Sequence, residues 1–167
     1  PIISEIVVVD TGSTDRTVEI AASFGARIFH QKWSGNFSLP RNLSLKKARG
    51  EWILVLDADE AIAAQDLDLL TSLTARRDAC YMLTQRHYTN DYCISGFTPV
   101  SGEYPEWERH YAGYHESSLV RLFPNHPRIR YQNRVHELVE PAIIALGKHR
   151  IPSSGIRIHH YGSTPEV

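Results

Sequence analysis

The sequence has 167 residues, of which 42% are hydrophobic, and its formal net charge at pH 7 is −1. A chain of this length can bury one core, so we expect a single domain over residues 1–167. The 18 basic and 19 acidic side chains nearly balance, which argues against nonspecific nucleic-acid binding. No apolar run approaches the ~20 residues needed to cross a bilayer. Cys80 and Cys93 form neither a disulfide framework nor a CxxC metal motif, which favours a cytoplasmic location.

Apolar strands and helical segments alternate over the first half of the chain. The run Ile6 to Val9 is continuously apolar and ends at Asp10, as expected for a strand covered on both faces. Gly25 is a typical helix stop, and Pro40 is typical of a first helical turn. In chain order, the pattern predicts strands over 5–10, 26–30, 52–56 and 81–84 and helices over 18–24, 40–48 and 67–73.

This alternation, with its short connections, predicts an α/β fold. Parallel βαβ units would form a three-layer sandwich with a mostly parallel central sheet. The rhythm breaks after residue 84. Residues 86–116 are rich in Tyr, His, Gly and charged side chains, whereas 118–123 and 134–139 are typical of further strands.

In the segment WILVLDADE, residues 52–60, an apolar run is followed directly by three carboxylates. If the strand continues, Asp57 and Asp59 face the same side, at the sheet end where open α/β folds bind ligands. Two carboxylates this close repel one another unless a cation lies between them. Mg²⁺ or Mn²⁺ would remove that repulsion and would also hold substrate phosphates. The sequence therefore predicts a metal–diphosphate site, and the alternative is a solvated acidic loop.

A second predicted strand also ends in a carboxylate. Asp10 is followed by a turn of hydroxyl, glycine and acidic residues, Thr11 to Asp15, that leads into a helix. Such a turn can hydrogen-bond a base or ribose, and the start of a helix favours anions. The alternative is a plain helix N-cap, yet two apolar strands ending in carboxylates favour a nucleotide site.

Three segments together resemble a known family: EIVVVDTGSTDRTVEIA, FSLPRNLSLKKARGEWILVLDADE and NRVHE. They are similar to the nucleotide-sugar half of family 2 glycosyltransferases, which have the GT-A fold. The bacterial branch that glycosylates lipopolysaccharide core sugars, or that occurs in multidomain glycosyltransferases, is the most similar. The resemblance is dense over 5–60 and returns around 120–161. Family domains usually begin with a further strand and helix, so we expect this sequence to be a fragment that lacks that first strand and helix.

The resemblance implies transfer of a hexose-type sugar from a UDP-sugar or similar donor to a hydroxyl of a glycan or lipid-linked acceptor. Residues 1–85 would be the nucleotide-sugar half and 86–167 the acceptor and catalytic half. Mn²⁺ or Mg²⁺ would be held by Asp59, assisted by Asp57. The residues expected to contact the nucleotide are Asp10, Thr11, Ser13, Asp15, Arg41 and Asp57.

Inverting transfer needs one base for the acceptor hydroxyl, and the candidates lie in the segment 133–137. On a strand, His136 and Glu137 would face opposite sides, so one of them would enter the site. The family carries an acidic base in roughly this region, which favours Glu137, with His136 as its rival. The alternative is an exposed strand edge that carries a surface His–Glu pair.

The double histidine near the end of the chain is the remaining candidate. GT-A enzymes often recruit a late histidine to the metal, and imidazole is an acceptable ligand for Mn²⁺. We expect His160 in that role, with His159 facing the other way along a strand. The alternatives are a buried core histidine or an exposed pair. Trp107 and Tyr111 could stack on an acceptor sugar, or anchor an irregular loop to the core.

Two further interpretations stay open at this point. One is a catalytically inactive nucleotide-sugar-binding module of a larger protein. The other is a metal-dependent phosphotransferase or nuclease, which would require more acids converging on Asp57 and Asp59. Partners would be the donor and acceptor, at the inner face of a membrane for a lipid-linked acceptor. Composition does not decide the oligomeric state.

Overall fold

The computed structural model describes residues 2–76, 79–148 and 150–161. The chain divides into two compact units. Unit 1 comprises Pro1–Ile53 and Phe123–Arg150, and unit 2 comprises Leu54–Leu122 and Ile151–Val167. Each unit is therefore assembled from two separate stretches of sequence.

Unit 1 opens with the predicted βαβ unit. The βαβ unit consists of β1 (Val7–Asp10), α1 (Thr17–Ser23) and β2 (Arg27–His30). The helices α2 (Ser38–Lys47) and α5 (Glu140–Ala145) also belong to unit 1. Strands β1 and β2 pair in parallel, with Val7 opposite Arg27 and Asp10 opposite His30. Gly25 follows the intervening helix with a φ of 74°, a left-handed conformation that glycine adopts without steric cost.

Unit 2 is built on a mixed sheet. Its elements are β4 (Glu60–Ile62), a 3-10 turn (Ala64–Asp66), α3 (Leu67–Leu73), β5 (Tyr81–Thr89), β6 (Thr98–Pro99), α4 (Pro105–Glu108) and β8 (Ser153–His160). Strands β3 (Trp52–Leu54) and β7 (Gly113–Pro124) contain residues of both units. Six of the described strands form one sheet in the order β3-β7-β5-β8-β4, with β6 paired to β7.

The α/β class and every helix and strand predicted up to residue 84 are confirmed, and the last of these strands continues to Thr89. The pairing differs from the mostly parallel sheet that was expected. Strand β5 runs parallel to β8, whereas the pairs β5–β7, β4–β8 and β6–β7 are antiparallel. The parallel expectation came from the βαβ rhythm, and β7 and β8 follow the point where that rhythm ends.

The two faces of unit 2's sheet carry different side chains. His87 lies opposite His115 on one neighbouring strand and opposite His160 on the other, and His160 lies opposite Glu60. The intervening residues, Arg86 among them, point to the other face, because side chains alternate along a strand. Fully buried apolar side chains, Leu83, Ile156 and Ile158, form the base of this sheet's core.

The strand predicted over 134–139 is wrong. The segment is irregular and is closed by one isolated bridge between Gln132 and Leu138. Asn133 and His136 have φ values of 73° and 53°, which no strand accommodates. The expectation that His136 and Glu137 alternate across a strand therefore fails. Among the described helices, none has the length and apolar content to pass through a membrane.

Candidate functional site

The candidate residues fall into two groups, one in each unit. In unit 1, Asp10 is a buried carboxylate that organises the turn after β1. Its oxygens accept hydrogen bonds from the backbone N–H of Ser13 at 3.0 Å and of Gly12 at 3.2 Å. The ring of His30 also lies 3.3 Å from Asp10 Oδ2. Hydrogen bonds from Ser13, assisted by those from His30 and Gly12, lower the pKa of Asp10.

The rest of the turn is more open. Ser13 and Asp15 are exposed, Thr11 is half-buried, and Asp15 accepts a hydrogen bond from Thr17 N–H at 3.0 Å. Asp15 thus closes a turn just before α1, whereas the N-cap residue is Arg16, whose side chain makes no capping hydrogen bond. Ser13 contributes its backbone N–H to Asp10. Asp10 and the exposed polar groups of this turn leave an anionic, hydroxyl-rich edge beside the end of β1.

Helix α2 fixes the irregular segment that contains the candidate base. Arg41 Nε donates to Glu137 Oε1 at 2.5 Å. The neighbouring Asn42 donates to the carbonyl of Tyr131 at 2.9 Å and accepts from its N–H at 2.8 Å. Ser38 donates to the Asn133 carbonyl at 2.5 Å. Arg41 and Glu137 are thus brought together, whereas His136 is exposed.

In unit 2 the acidic residues do not continue a strand, as the sequence suggested. Strand β3 ends at Leu54, Ala58 and Asp59 form a turn, and β4 begins at Glu60. The alternation argument for Asp57 and Asp59 therefore does not apply. The turn is closed by Glu60 N–H, which donates to the Asp57 carbonyl at 3.1 Å.

Arg121 is the principal cation at this turn. Its Nη2 lies 3.0 Å from Asp57 Oδ2 and 3.0 Å from Glu60 Oε1. Glu60 also accepts from the N–H of Asp57 at 2.7 Å and from Gln85 Nε2 at 2.5 Å. Burial raises the pKa of Glu60, and the charge of Arg121 opposes that rise. The Asp57 carboxylate is therefore held in place by an ion pair with Arg121.

Asp59 has a different partner. Its Oδ2 lies 3.2 Å from His160 Nε2, and its carbonyl accepts from Tyr161 N–H at 3.3 Å. His160 Nδ1 in turn lies 3.0 Å from Nδ1 of His87, which stacks on His115 with ring centroids 4.5 Å apart. Burial, followed by the nearby His160 and His115, lowers the pKa of His87 to about 4.

The prediction that His159 faces away from His160 is confirmed. His159 is fully buried, and its Nδ1 lies 2.7 Å from the Tyr88 hydroxyl. Trp107 stacks on it with a centroid distance of 4.7 Å, and Tyr111 lies 5.2 Å from Tyr88. Trp107 and Tyr111 therefore pack in an aromatic cluster, which agrees with the anchoring alternative.

The described residues partly fit a divalent cation. No three of their His, Cys, Asp or Glu side chains converge on one point. This disfavours a phosphotransferase or nuclease built on several carboxylates. Asp59 and His160 nevertheless approach to 3.2 Å and supply one oxygen and one nitrogen donor. Small divalent cations often take one or two protein ligands and complete their coordination with water and substrate phosphates, so this pair suits such a site.

His87 and Arg121 were not among the residues predicted from the sequence, although each has a recognisable sequence signal. His87 lies three residues beyond the predicted end of a strand, on the same face as Gln85. Arg121 is a charged residue inside the apolar run Leu119 to Phe123. A buried arginine requires acidic partners, which are the carboxylates of the DADE segment.

The family model described as glycosyl transferase family 2 matches residues 3–112. The chain belongs to this family and is a glycosyltransferase domain.

The curated relatives include proteins that match nearly the whole chain. A TPR repeat-containing protein of Synechococcus elongatus is 36% identical over 167 residues, covering 96% of this chain and 36% of its own. The SPbeta prophage-derived glycosyltransferase SunS of Bacillus subtilis is 25% identical, covering 97% and 34%. The chain thus spans about a third of the length of these relatives.

A solved structure confirms the GT-A type of fold. TarS of S. aureus, crystallised in complex with UDP-GlcNAc, aligns with a TM-score of 0.62 at 18% identity. The alignment covers 97% of this chain and 50% of the TarS chain.

Proposed function

We propose that this chain transfers a sugar from a nucleoside-diphosphate sugar to a hydroxyl of a glycan or lipid-linked acceptor. The reaction would depend on a divalent cation and would invert the configuration of the sugar. The observation that carries the proposal is the approach of Asp59 to His160, within 3.2 Å, in a family 2 domain. This approach brings one oxygen and one nitrogen ligand atom together at the acidic segment that is expected to bind the nucleotide sugar.

A uridine nucleotide is the favoured donor. The TarS structure was solved with UDP-GlcNAc, and TarS shares this fold. Asp10, with its carboxylate held in place by two backbone N–H groups, would accept a hydrogen bond from the base. Thr11, Ser13 and Asp15 would line the same turn, and Asp57 would contact the ribose.

The residues proposed to hold Mn²⁺ or Mg²⁺ are Asp59 and His160. When bound, such a cation stabilises the negative charge of the leaving diphosphate as a Lewis acid. Asp57 would assist from its ion pair with Arg121, 3.0 Å away. The guanidinium of Arg121 would keep that carboxylate oriented, while Glu60 fixes the turn by accepting a hydrogen bond from the N–H of Asp57.

Glu137 is the proposed base, with His136 as the alternative. Glu137 would take the proton of the acceptor hydroxyl while that oxygen attacks the anomeric carbon and the bond to the diphosphate breaks. A positioned base typically contributes ~10²–10⁴-fold to such a step. Arg41 would orient the Glu137 carboxylate through the 2.5 Å contact, in addition to any contact with the nucleotide. A lipid-linked acceptor would place the protein at the inner face of a membrane.

The test is hydrolysis and transfer measured on the full chain with UDP-, GDP- and dTDP-sugars, with and without Mn²⁺. We expect Mn²⁺-stimulated turnover of a UDP-sugar that Asp59→Asn abolishes and that the matched variant Asp91→Asn leaves unchanged. Asp91 is an exposed aspartate that closes a turn with Cys93 N–H at 2.9 Å.

Thermal shift separates the inactive module from the enzyme. A ligand present at 100 times its Kd stabilises the folded chain by ~2.7 kcal/mol, which shifts the melting temperature measurably. A shift with UDP-sugars but no turnover with any acceptor would support the inactive nucleotide-sugar-binding module. The absence of both a shift and turnover would contradict the proposed function.

A further inference from the structure

A chain of hydrogen bonds runs away from the proposed cation ligand along one face of unit 2's sheet. His160 Nδ1 lies 3.0 Å from His87 Nδ1, and His87 Nε2 lies 2.9 Å from Ser117 Oγ. Ser117 Oγ lies 3.4 Å from Gln85 Oε1, and Gln85 Nε2 donates to Glu60 at 2.5 Å. The register of β4, β8, β5 and β7 places these side chains side by side on one face. The pairing of the strands therefore determines this series of hydrogen bonds.

The Glu60 end of this chain has a fixed direction. The Glu60 carboxylate accepts hydrogen bonds from Arg121 and from the N–H of Asp57. Since a carboxylate only accepts, Gln85 must be the donor in its contact with Glu60. The amide nitrogen of Gln85 must therefore face Glu60, and its oxygen must face Ser117. Since Gln85 Oε1 is an acceptor only, it offers the Ser117 hydroxyl a place to donate.

The other end allows two directions, because each imidazole carries its hydrogen on either nitrogen. In the first, His160 Nε2–H donates to Asp59, His87 Nδ1–H donates to His160, and the Ser117 hydroxyl donates to His87. In the second, every donor is reversed. His160 Nδ1–H donates to His87, His87 Nε2–H donates to Ser117, and the Ser117 hydroxyl turns to Gln85.

Only the second direction leaves a lone pair on His160 Nε2, the atom that faces Asp59. In the first direction this atom carries a hydrogen and cannot be a ligand. Both directions hold the same number of hydrogens, and both rings stay neutral. On reversal, the Nε2 hydrogen of His160 passes to water and Ser117 takes one from water, so no net charge is gained or lost.

We propose that His87 is a positioning residue, which sets the tautomer of His160 and turns its Nε2 lone pair toward Asp59 when a divalent cation binds. This inference rests on the proposed role of Asp59 and His160 in holding the cation. Residues that hydrogen-bond to a metal-ligating histidine commonly fix its tautomer and ring orientation. Here that partner is a second histidine, which can accept in one state and donate in the other.

The neighbouring His115 provides a matched control. It stacks on His87 at 4.5 Å, and its buried Nδ1 has no hydrogen-bond partner among the described residues. His115→Phe therefore keeps a stacked ring and leaves the chain of hydrogen bonds intact. His87→Phe keeps a ring of similar size but removes the hydrogen bonds to both His160 and Ser117.

The first measurement uses the unmodified full chain. Long-range ¹H–¹⁵N correlation spectra report which ring nitrogen of each histidine carries the hydrogen. Without a cation we expect hydrogens on Nε2 of His160 and Nδ1 of His87. With UDP and Zn²⁺, a diamagnetic cation, we expect both tautomers to change together. Zn²⁺ binding without a change in the His87 tautomer would overturn the inference and leave the proposed function standing.

The second measurement is the affinity for Mn²⁺ in the presence of UDP, obtained from the electron paramagnetic resonance signal of free Mn²⁺. We expect His87→Phe to weaken binding by about 10–100-fold, as for other partners of metal ligands, and His115→Phe to leave it unchanged. Equal affinities in the two variants would contradict the positioning role. A wild-type chain that binds no cation with UDP would overturn both this inference and the metal part of the proposed function.

Discussion

Arg41 Nε donates to Glu137 Oε1 across 96 residues of sequence, over a distance of 2.5 Å. The side chains of Arg41 and Glu137 are 22% and 12% exposed, so the pair lies largely out of water. Asn42 holds the backbone of Tyr131 from the same helix, and the two residues of the RN pair thus fix one loop. The RN pair that resembles the family motif therefore has a structural task in addition to any nucleotide contact.

This pairing separates the structural task of Glu137 from its proposed catalytic task. Glu137→Gln keeps an oxygen that accepts from Arg41 but removes the negative charge of the pair, so we expect a loss of stability of ~1.5–3 kcal/mol, the range for hydrogen bonds to charged groups. If Glu137 is the base, kcat should fall by ~10²-fold or more. Urea unfolding and initial rates on the same preparations provide both numbers.

Arg41→Met supplies the contrast. It leaves a largely buried carboxylate without its arginine, and we expect a destabilisation of ~2–4 kcal/mol. A Glu137→Gln variant that keeps the wild-type kcat would remove Glu137 from the mechanism and point to His136 as the base.

A second prediction concerns Arg121 and Glu60. The Arg121 and Glu60 side chains are 7% and 0% exposed, and their charges are 3.0 Å apart. Removing one member of a buried pair strands the other charge, so we expect Arg121→Met to destabilise the chain by ~3–5 kcal/mol. The double variant Arg121→Met, Glu60→Gln should recover part of this loss, as measured by urea unfolding. Additive effects of the two substitutions would show that the ion pair does not couple them.

The sequence sufficed for the local elements, because each carries its own chemistry. The apolar run before Asp10 specifies a strand, and Gly25 stops the helix that follows. The opposite orientation of His159 and His160 needed only the alternation of a strand. In each case the deciding residues are close neighbours in the chain.

The sequence-based predictions failed where residues contact partners that are distant in sequence, or where the backbone adopts an unusual conformation. Glu60 meets Arg121 across 61 residues, and no local pattern announces that partner. Strand β7 runs antiparallel to β5, which depends on how the irregular segment between them folds back. The positive φ values of Asn133 and His136 could not be predicted from the sequence either, since both residues lie in a segment whose composition is typical of a strand.

A pH dependence is expected from Glu5. Its carboxylate accepts from the backbone N–H of Arg49 and, at 2.9 Å, from that of Gly50, and it pairs with Arg27 at 2.7 Å. The Arg49 N–H hydrogen bond, assisted by Gly50 and Arg27, lowers the pKa of Glu5 against the opposing effect of burial. A carboxyl with a lowered folded-state pKa stabilises the fold above its unfolded pKa of ~4.3, and this stability is lost as the pH falls through the folded value.

The measurement is the difference in unfolding free energy between wild type and Glu5→Gln as a function of pH. We expect ~1.5–3 kcal/mol at pH 7, the range for hydrogen bonds to a charged group. The difference should shrink steadily below pH ~4.3. The exposed pair Arg16 and Glu19 serves as a control, because Glu19→Gln removes an ion pair that water screens, so its effect on stability should be small at every pH. A Glu5→Gln difference independent of pH would contradict the assignment.

The last prediction concerns Asp10 and the nucleotide. Asp10→Asn retains an oxygen that can accept from Ser13 N–H at 3.0 Å, so the turn should persist, but the negative charge is lost. If Asp10 binds the base, the Kd for UDP should rise by about tenfold, which corresponds to ~1.4 kcal/mol. Asp91→Asn makes the same chemical change at another aspartate that closes a turn, and we expect it to leave the Kd unchanged. Titration calorimetry measures both values, and an unchanged Kd in Asp10→Asn would exclude a contact between this carboxylate and the nucleotide.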